Sequence, residues 1–415
     1  MKKYDIFYRW FWIFISSVFI FLIANIVFAA YVKYYEVRLT NNWAISRSGP
    51  FNGRTVATDS LNRVHTVWAD YRRGMYEVYY KRSIDGGTTW ESSDRRLTNH
   101  HLNHALGASI ASSPEGYLHI VWQDKRSGAW KLYYIRSLNG GATFQKEKQL
   151  DPYPIGHGGP CVCYGGNGIV NIVYRKLVNG RWELFNIYSS NNGDSSSSPQ
   201  RLTNANSIKD NPSCAIDGNG YVYLVWNDTR DNPAPEKREV YFKRSLDGGR
   251  TWEPDMRLTE DPANGSADSS IAVDVNGHVH VVWHDDRSGS WEIYYKESPD
   301  RGVTWGPDIQ LTSRPNPDYD PETVETDLPS IAVDNNGNVH IFWQDKDIGS
   351  IKDNRLFYKG RYGTEWTPTM QITNTMSVYA SATVDANNTI HLVWTDGRYE
   401  PNYEIFYKKG IFTED

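Results

Sequence analysis

The sequence has few cysteines, few methionines and no excess of positive charge. Three cysteines in 415 residues are too few for a disulfide framework. Lys and Arg total 44 against 49 Asp and Glu, a formal net charge of −5. No basic field is therefore available to hold nucleic acid, and we expect no nucleic-acid partner.

The cysteines also lack the companions that a metal site needs. Cys161 and Cys163 alternate on one predicted strand and so share a face. No further soft or imidazole ligands accompany them at a fixed spacing. We interpret them as small buried residues, with a disulfide to Cys214 as the alternative. The sequence indicates no cofactor, apart from one calcium candidate described below.

Long apolar runs are absent except for one at the N-terminus. Residues 10–32 carry no charge and are long enough to span a bilayer as a helix. Basic residues in segment 1–9 favour an N-terminus inside the cell, with residues 34–415 exported. The run predicts a retained transmembrane anchor. A signal-peptidase-like site near Ala29 is the alternative, and it would make the protein secreted.

The rest of the chain is built from one repeated unit. An apolar strand ending in Trp-x-Asp, as in VHVVWHD at residues 279–285, recurs six times, with a degenerate VNIVYRK at residues 170–176. The aromatic residue falls at positions 68, 122, 174, 226, 283, 343 and 394, spacings of 51 to 60 residues. Each unit reads as four short strands joined by turns. This is the pattern of a propeller blade, and blades bury both faces only by packing in a ring.

The sequence therefore predicts an all-β fold, a seven-bladed β-propeller of four-stranded antiparallel blades over residues 34–415. The last unit stops without its closing RLT strand, whereas an unpartnered VRLT stands at residues 37–40. We predict that this N-terminal strand completes the last blade and closes the ring, preceded by the transmembrane helix.

A second motif is an octet that follows the third strand of a unit: SIDGGTTW at residues 83–90, SLNGGATF at 137–144, SLDGGRTW at 245–252 and SPDRGVTW at 298–305. We refer to these four segments as the octets. An acidic or amide residue beside two glycines accepts hydrogen bonds from turn amides, so a structural role is predicted for its third position. The residues at that position are Asp85, Asn139, Asp247 and Asp300.

The octets resemble the Asp box of the sialidase superfamily and related BNR-repeat propellers, and the resemblance covers nearly all of residues 34–415. It implies a propeller with its ligand entrance on the face opposite the octets. Enzymatic sialidases also need a carboxylate-binding arginine triad, a Tyr nucleophile with a Glu, and an Asp acid carried on an insertion in the first blade. The Arg-Ile-Pro signature has only a poor counterpart at Arg47, and Arg73 leads straight into the third strand without the insertion. Sialidase activity is therefore disfavoured.

By that resemblance, the turns after Trp-x-Asp and after RLT form the entrance face. Two interpretations of its Asp–Arg pairs are open. Each pair either pins its own turn, which the regularity favours, or joins a ring of contacts for a carbohydrate or peptide. The pairs are Asp70/Arg72, Asp124/Arg126, Asp228/Arg230, Asp285/Arg287 and Asp396/Arg398.

Aromatic residues open the third strands on the same face. They suit stacking on sugar rings, although packing between blades is the favoured interpretation. The residues are Tyr76, Trp130, Trp182, Trp291 and Tyr403. An acidic, proline-rich connection adds Asp318, Asp320 and Glu322 as a calcium candidate, against the favoured alternative of a solvated loop.

Together these patterns predict an exported, membrane-anchored propeller that binds a glycan or a protein on its entrance face and carries out no chemistry. The alternatives are a sialidase-like exo-glycosidase and a scaffold subunit of a cell-envelope complex.

Overall fold

The repeats form seven antiparallel sheets in the computed structural model, which describes residues 35–49, 53–99, 103–156, 158–231, 237–260, 265–313, 327–346 and 354–410. Each sheet has four or five strands, and sequential units make successive sheets. The predicted all-β, seven-bladed propeller with four-stranded blades is confirmed.

The strands are short and regularly spaced. The first strand, β1 (Tyr35–Arg38), belongs to the seventh sheet. Blade one contains β2 (Ser46–Arg47), β3 (Val56–Thr58), β4 (Val64–Asp70), β5 (Glu77–Ser83) and β6 (Arg95–Arg96). Blade two contains β7 (Ala105–Ser112), β8 (Leu118–Asp124), β9 (Lys131–Ser137) and β10 (Lys148–Gln149). Blade three contains β11 (Cys161–Gly165), β12 (Ile169–Val178), β13 (Arg181–Ser189) and β14 (Gln200–Arg201), with a 3₁₀ turn at Gly166–Gly168.

The remaining blades follow the same order. Blade four contains β15 (Lys209–Ile216), β16 (Val222–Asp228), β17 (Glu239–Ser245) and β18 (Met256–Arg257). Blade five contains β19 (Ser266–Val273), β20 (Val279–Asp285), β21 (Glu292–Ser298) and β22 (Ile309–Gln310). Blade six contains β23 (Asp327–Val333), β24 (Val339–Lys346), β25 (Asn354–Tyr362), β26 (Glu365–Trp366) and β27 (Met370–Gln371). Blade seven contains β28 (Ser377–Val384), β29 (Ile390–Tyr399) and β30 (Asn402–Gly410), and β1 pairs antiparallel with β30.

The first strands of the blades contact one another in cyclic order around a central channel. Each first strand contacts the first strands of the two neighbouring blades, in the order β3, β7, β11, β15, β19, β23, β28 and back to β3. The second strands lie behind them and are buried along most of their length, as in VHVVWHD of β20. Trp283 of this strand stacks at 6.0 Å on Tyr294 of the third strand. Branched and aromatic side chains thus fill the space between neighbouring sheets.

The RLT motif has a clear structural basis. In blade four, the carboxylate of buried Glu239 accepts hydrogen bonds from Arg257 (2.8 Å) and Thr259, and the Thr259 hydroxyl also accepts one from the Val240 amide (2.9 Å). Arg38 and Thr40, beside β1, make the same contacts with Glu404 of β30. The N-terminal VRLT therefore contacts the seventh blade as an RLT strand contacts its own blade.

The octets are turns that reach the preceding blade. In the first octet, Asp85 accepts hydrogen bonds from the amide and hydroxyl of Thr89 (2.8 and 2.6 Å), and Ser83 accepts one from Gly87 (2.8 Å). Burial opposes ionisation, but the hydrogen bonds from Thr89, Ser83 and Thr88 together outweigh it and lower the pKa of Asp85 to about 2. Asn139, Asp247 and Asp300 accept the equivalent bonds in their octets.

The cysteine interpretation favoured from the sequence is wrong for two of the three residues. Cys163 of β11 and Cys214 of β15 form a disulfide between blades three and four, with their Cα atoms 5.9 Å apart. Both lie on first strands, which the ring brings side by side, so residues one repeat apart in sequence become neighbours. Cys161 is a buried free thiol, and burial raises its pKa to about 12.

Two predictions fall outside the described residues. These are the N-terminal helix at residues 10–32 and the calcium candidate at Asp318, Asp320 and Glu322. Within the described ranges, no helix has the length and hydrophobicity to cross a membrane.

Candidate functional site: the channel mouth on the entrance face

The strand order gives the ring two different faces. Turns between second and third strands, and connections from one blade to the next, lie on the entrance face. The octets and the turns between first and second strands lie on the opposite face, which we call the octet face. The two kinds of turn are joined there, since the amide of Gly86 donates to the carbonyl of Asn62 at 2.8 Å.

The Asp–Arg pairs occupy the turns after the second strands. In blade five, Asp285 is fully buried and accepts hydrogen bonds from the Trp283 indole (2.9 Å) and from the amide and Nε of Arg287 (2.9 and 2.8 Å). Burial opposes the charge, but the bonds from Arg287, Ser266 and Trp283 outweigh it and lower the pKa of Asp285. Equivalent bonds link Arg72 to Asp70, Arg126 to Asp124, Arg230 to Asp228 and Arg398 to Asp396.

Each arginine has a second acidic partner, which comes just before the fourth strand in blades one, two, four and five and from within β1 in blade seven. Arg287 donates to Asp308 at 2.6 Å and lies over the ring of Tyr294 at 4.8 Å. Each pair therefore fixes its own turn, and only the outer edge of the guanidinium is open to a ligand. Contact of these pairs with a ligand stays a prediction.

The degenerate third blade replaces this arrangement with a different set of residues. Tyr174 and Lys176 stand where the other blades have Trp and Asp, and both bind buried Asp151, at 2.6 and 2.8 Å. Asp151 comes from the connection that precedes the blade. In this blade the cation comes from the second strand and the carboxylate from outside the blade. Arg175, between Tyr174 and Lys176, lies 4.0 Å from Asp210 of blade four.

The aromatic residues at the starts of the third strands are all half-buried. Trp182 lies 5.1 Å from the guanidinium of Arg175, and Trp291 packs edge-on at 4.5 Å against His284. In blade four the equivalent position, immediately before the buried Glu of the third strand, is occupied by Arg238. Backbone bonds tie this position to the next blade, as in Ser266 N to Arg238 O at 2.7 Å.

Tyr76 belongs to a separate cluster on blades one and two. Its ring lies 5.0 Å from Tyr71 and 5.7 Å from His104, and its amide donates to His104 Nδ1 at 3.2 Å. The guanidinium of Arg47 lies 5.8 Å from the Tyr76 ring. Burial raises the pKa of Tyr76, and the positive charge of Arg47 partly offsets this. Trp130 and Tyr403 lie in the equivalent places on blades two and seven.

The first strands are distorted where they enter the channel. Five of them carry a bulge, and the bulged residue has a left-handed φ of 48° to 62°. The five residues are Gly107, Asn211, Asp268, Leu328 and Tyr379. Leu and Tyr seldom adopt this conformation, and such strain concentrates at functional sites and beside bulges. The mouth of the channel is therefore the strained part of the ring.

A charged group lies on the blade-four side of this mouth. Asp210 is largely buried and accepts a hydrogen bond from Arg238 Nε at 3.1 Å, with Arg175 4.0 Å away. Next to it, Asn211 donates to Asp268 of blade five. Burial raises the pKa of Asp210, and the two arginines only partly counter that effect. A carboxyl with a raised pKa at a strained mouth is the chemical signature of a site.

Arg54 is a residue of the channel that the sequence did not predict. The first strand of blade one is split into β2 and β3, and Arg54 stands just before β3 and reaches across the channel to donate to Ile271 O at 3.0 Å. Burial in the channel lowers the pKa of its guanidinium. It separates a cavity of about 200 Å³, lined by all seven first strands on the octet side, from one of about 30 Å³ on the entrance side.

No family model matches the chain, and no curated protein does either. Among solved structures, the polysaccharide lyase Uly1 is 12% identical with a TM-score of 0.57, and the match covers 92% of this chain and 99% of that one. A protein of unknown function from Dyadobacter fermentans DSM 18053 is 14% identical with a TM-score of 0.52, over 75% of this chain and 95% of that one.

Sialidases are also among the similar structures. A leech intramolecular trans-sialidase is 11% identical with a TM-score of 0.49, over 90% of this chain and 70% of that one. At such identities the likeness concerns the fold alone.

Proposed function

We propose that the protein binds a carbohydrate at the channel mouth on its entrance face and has no catalytic role there. The observation behind this proposal is that Arg175 and Arg238 both contact Asp210 at the strained end of a first strand. Trp182 lies beside Arg175, and Trp291 packs against His284 on the next blade. Charged groups that hold hydroxyls beside half-buried aromatic faces are what sugar recognition requires. The similar Uly1 is by its name a polysaccharide lyase, which agrees with a carbohydrate ligand.

The residues at this mouth suit an acidic sugar in particular. Arg175 and Arg238 both lie against the single carboxylate of Asp210, with nitrogen–oxygen distances of 4.0 and 3.1 Å. Guanidinium groups bind carboxylates through paired hydrogen bonds. We expect the Asp–Arg pairs to frame the ligand by fixing the turns around it.

Glycan-array binding by the full-length chain in lipid nanodiscs tests the proposal. We expect binding that falls by up to about tenfold with Trp291→Ala, the loss of one stacking contact being worth about 0.5–1.5 kcal/mol. Trp43→Ala is the matched control, because Trp43 is 74% exposed on the same face and lies between β1 and β2. Equal effects of the two substitutions, or no binding to any glycan, would reject the site.

Glycoside hydrolysis is the second candidate, favoured by one observation. Burial raises the pKa of Asp210, so this carboxyl is disposed to donate a proton, and the negative charge of the nearby Asp268 acts in the same direction. Release of aryl alcohol from fluorogenic glycosides, abolished by Asp210→Asn, would establish this function. Binding without turnover leaves the carbohydrate-binding proposal in place.

We further infer that the propeller is exported, anchored through residues 10–32, and closed by β1. An interblade disulfide is typical of an oxidising compartment. The contacts of Arg38 and Thr40 with Glu404 support closure by β1. Extraction of the full chain with alkaline carbonate tests the anchor, since an integral protein stays with the membrane pellet.

A further inference from the structure

The two faces of the ring expose different kinds of apolar side chain. Large exposed residues on the entrance face are mostly aromatic, including Trp43, Tyr71, Tyr153 and Tyr399. Those in the turns of the octet face are aliphatic. They are Leu61, Ile84, Leu138, Leu246, Val275 and Val303.

Three of these aliphatic residues hold the same place in an octet. Ile84, Leu138 and Leu246 are the second residues of their octets and are 66%, 45% and 46% exposed. The third residue of the octet points into the turn. In the first octet, the carboxylate of Asp85 accepts hydrogen bonds from the hydroxyls of Ser83 and Thr89. Each of these turns therefore presents a hydrocarbon side chain outward and keeps its polar group satisfied internally. A repeated apolar tip of this kind on one face marks an interaction surface.

The N-terminal strand begins on this same face. Tyr35, the first residue of β1, donates from its hydroxyl to the carbonyl of Thr88 in the first octet at 2.8 Å. Lys409, opposite Tyr35 in the sheet, donates to Gly86 at 2.8 Å. The apolar run ends at Val32, three residues before Tyr35. Three extended residues span at most about 11 Å, so Tyr35 stays within that distance of the end of the run.

We propose that the octet face rests on the lipid bilayer, with Ile84, Leu138 and Leu246 in the interfacial layer and the channel mouth turned away from the membrane. The inference rests on the anchoring proposed above. A tether of at most about 11 Å holds the edge of the octet face where β1 begins close to the bilayer surface. Aliphatic side chains gain free energy at the interface, whereas exposed aromatic residues and the charged mouth remain available to a soluble or cell-surface glycan.

Site-specific fluorescence on the full-length chain tests this orientation. Single substitutions Ile84→Cys, Leu138→Cys and Leu246→Cys would each carry a nitrobenzoxadiazole label, with the chain in vesicles of phosphatidylcholine and phosphatidylglycerol. Leu177→Cys is the matched control, because Leu177 is 49% exposed near the entrance-face end of β12. Cys161 is buried with its pKa raised to about 12, and so stays unlabelled.

We expect labels on the octet face to be quenched by nitroxide-bearing lipid and shielded from aqueous iodide, and the label at position 177 to show the reverse. Equal iodide quenching at all positions would overturn the proposal. Shielding from iodide without quenching by nitroxide lipid would assign the face to a protein contact and would also overturn it. Loss of the whole chain from the membrane in alkaline carbonate would instead reject the anchor itself, which separates the two failures.

Discussion

Trp90 of the first octet lies edge-on against Tyr407 of the seventh blade, with ring centroids 4.9 Å apart. The same contact recurs around the ring between an octet and the blade before it. Phe144 meets Tyr80 at 4.9 Å and Trp305 meets Phe242 at 5.0 Å. Blade six has no octet of this sequence, but Trp366 of β26 makes the corresponding contact with Tyr295 at 5.0 Å. The octet thus fastens one blade to the next, and its glycines make room for the partner ring.

Gly87→Ala is expected to destabilise the protein strongly. A Cβ atom at Gly87 would lie 1.8 Å from the Tyr407 hydroxyl, and its φ of +77° disfavours any side chain. We expect a loss of about 2–4 kcal/mol in the free energy of unfolding, from strain and overpacking together. Gly74→Ala is the control, since its φ is +81° but nothing lies within 4 Å of the added atom; it should cost about 1 kcal/mol. Equal urea midpoints for the two variants would contradict the fastening role.

The disulfide is expected to contribute about 4 kcal/mol to stability. Cys163 and Cys214 are separated by 51 residues, and cross-linking a loop of that length restricts the unfolded chain by this amount in the chain-entropy model. Thiol titration of the unfolded protein without reductant should find one thiol per chain. Cys214→Ser should lower the urea midpoint. Three free thiols in the same titration of the unfolded, unreduced protein would show that the bond does not form.

Stability is expected to fall as the pH drops below about 6.5. Burial lowers the pKa of His119 to about 3 and that of His280 to about 4. These rings stay neutral in the folded state while the unfolded chain binds protons, so their contribution is complete above pH 6.5 and is lost toward pH 3–4. Each histidine adds a slope of up to about 1.4 kcal/mol per pH unit. Urea midpoints between pH 7 and pH 4.5 measure it, and His119→Asn should flatten the curve; an unchanged slope would contradict the assignment.

Two aspartates of blade four are expected to respond in opposite ways to the same substitution. The folded-state pKa of Asp210 is raised, so its ionised form opposes folding at neutral pH, and Asp210→Asn should raise the urea midpoint. Asp228 accepts bonds from the Trp226 indole at 3.1 Å and the Arg230 amide at 3.0 Å, so Asp228→Asn should cost about 2–3 kcal/mol. A midpoint lowered equally by both would mean that Asp210 is structural.

The sequence predicts the ring well because the repeat fixes it. The spacing of Trp-x-Asp gave the blade count, and the VRLT segment pointed to the strand that pairs with β30. The disulfide was missed because Cys163 and Cys214 lie in different repeats, and only their equivalent positions on adjacent first strands bring them together.

The channel mouth was much harder to predict. Leu328 and Tyr379 carry no sequence signal for a left-handed conformation, since glycine or asparagine is the usual indicator. Arg54 was overlooked because it lies between β2 and β3, in a break of the first strand that the described residues of the other blades do not show. In blade three the carboxylate that replaces the Asp of Trp-x-Asp is Asp151, which lies in the connection before the blade. Alignment of the repeats therefore does not reveal it.

One contact between neighbouring blades also recurs at the blade that contains β1. Lys81 of blade one donates to the carbonyl of Leu39, which follows β1, at 2.7 Å, and Lys408 of blade seven donates to the carbonyl of Ile372 of blade six at 2.9 Å. The seventh blade is therefore held on both sides by the same kind of bond. On heating, we expect it to separate no earlier than the other blades.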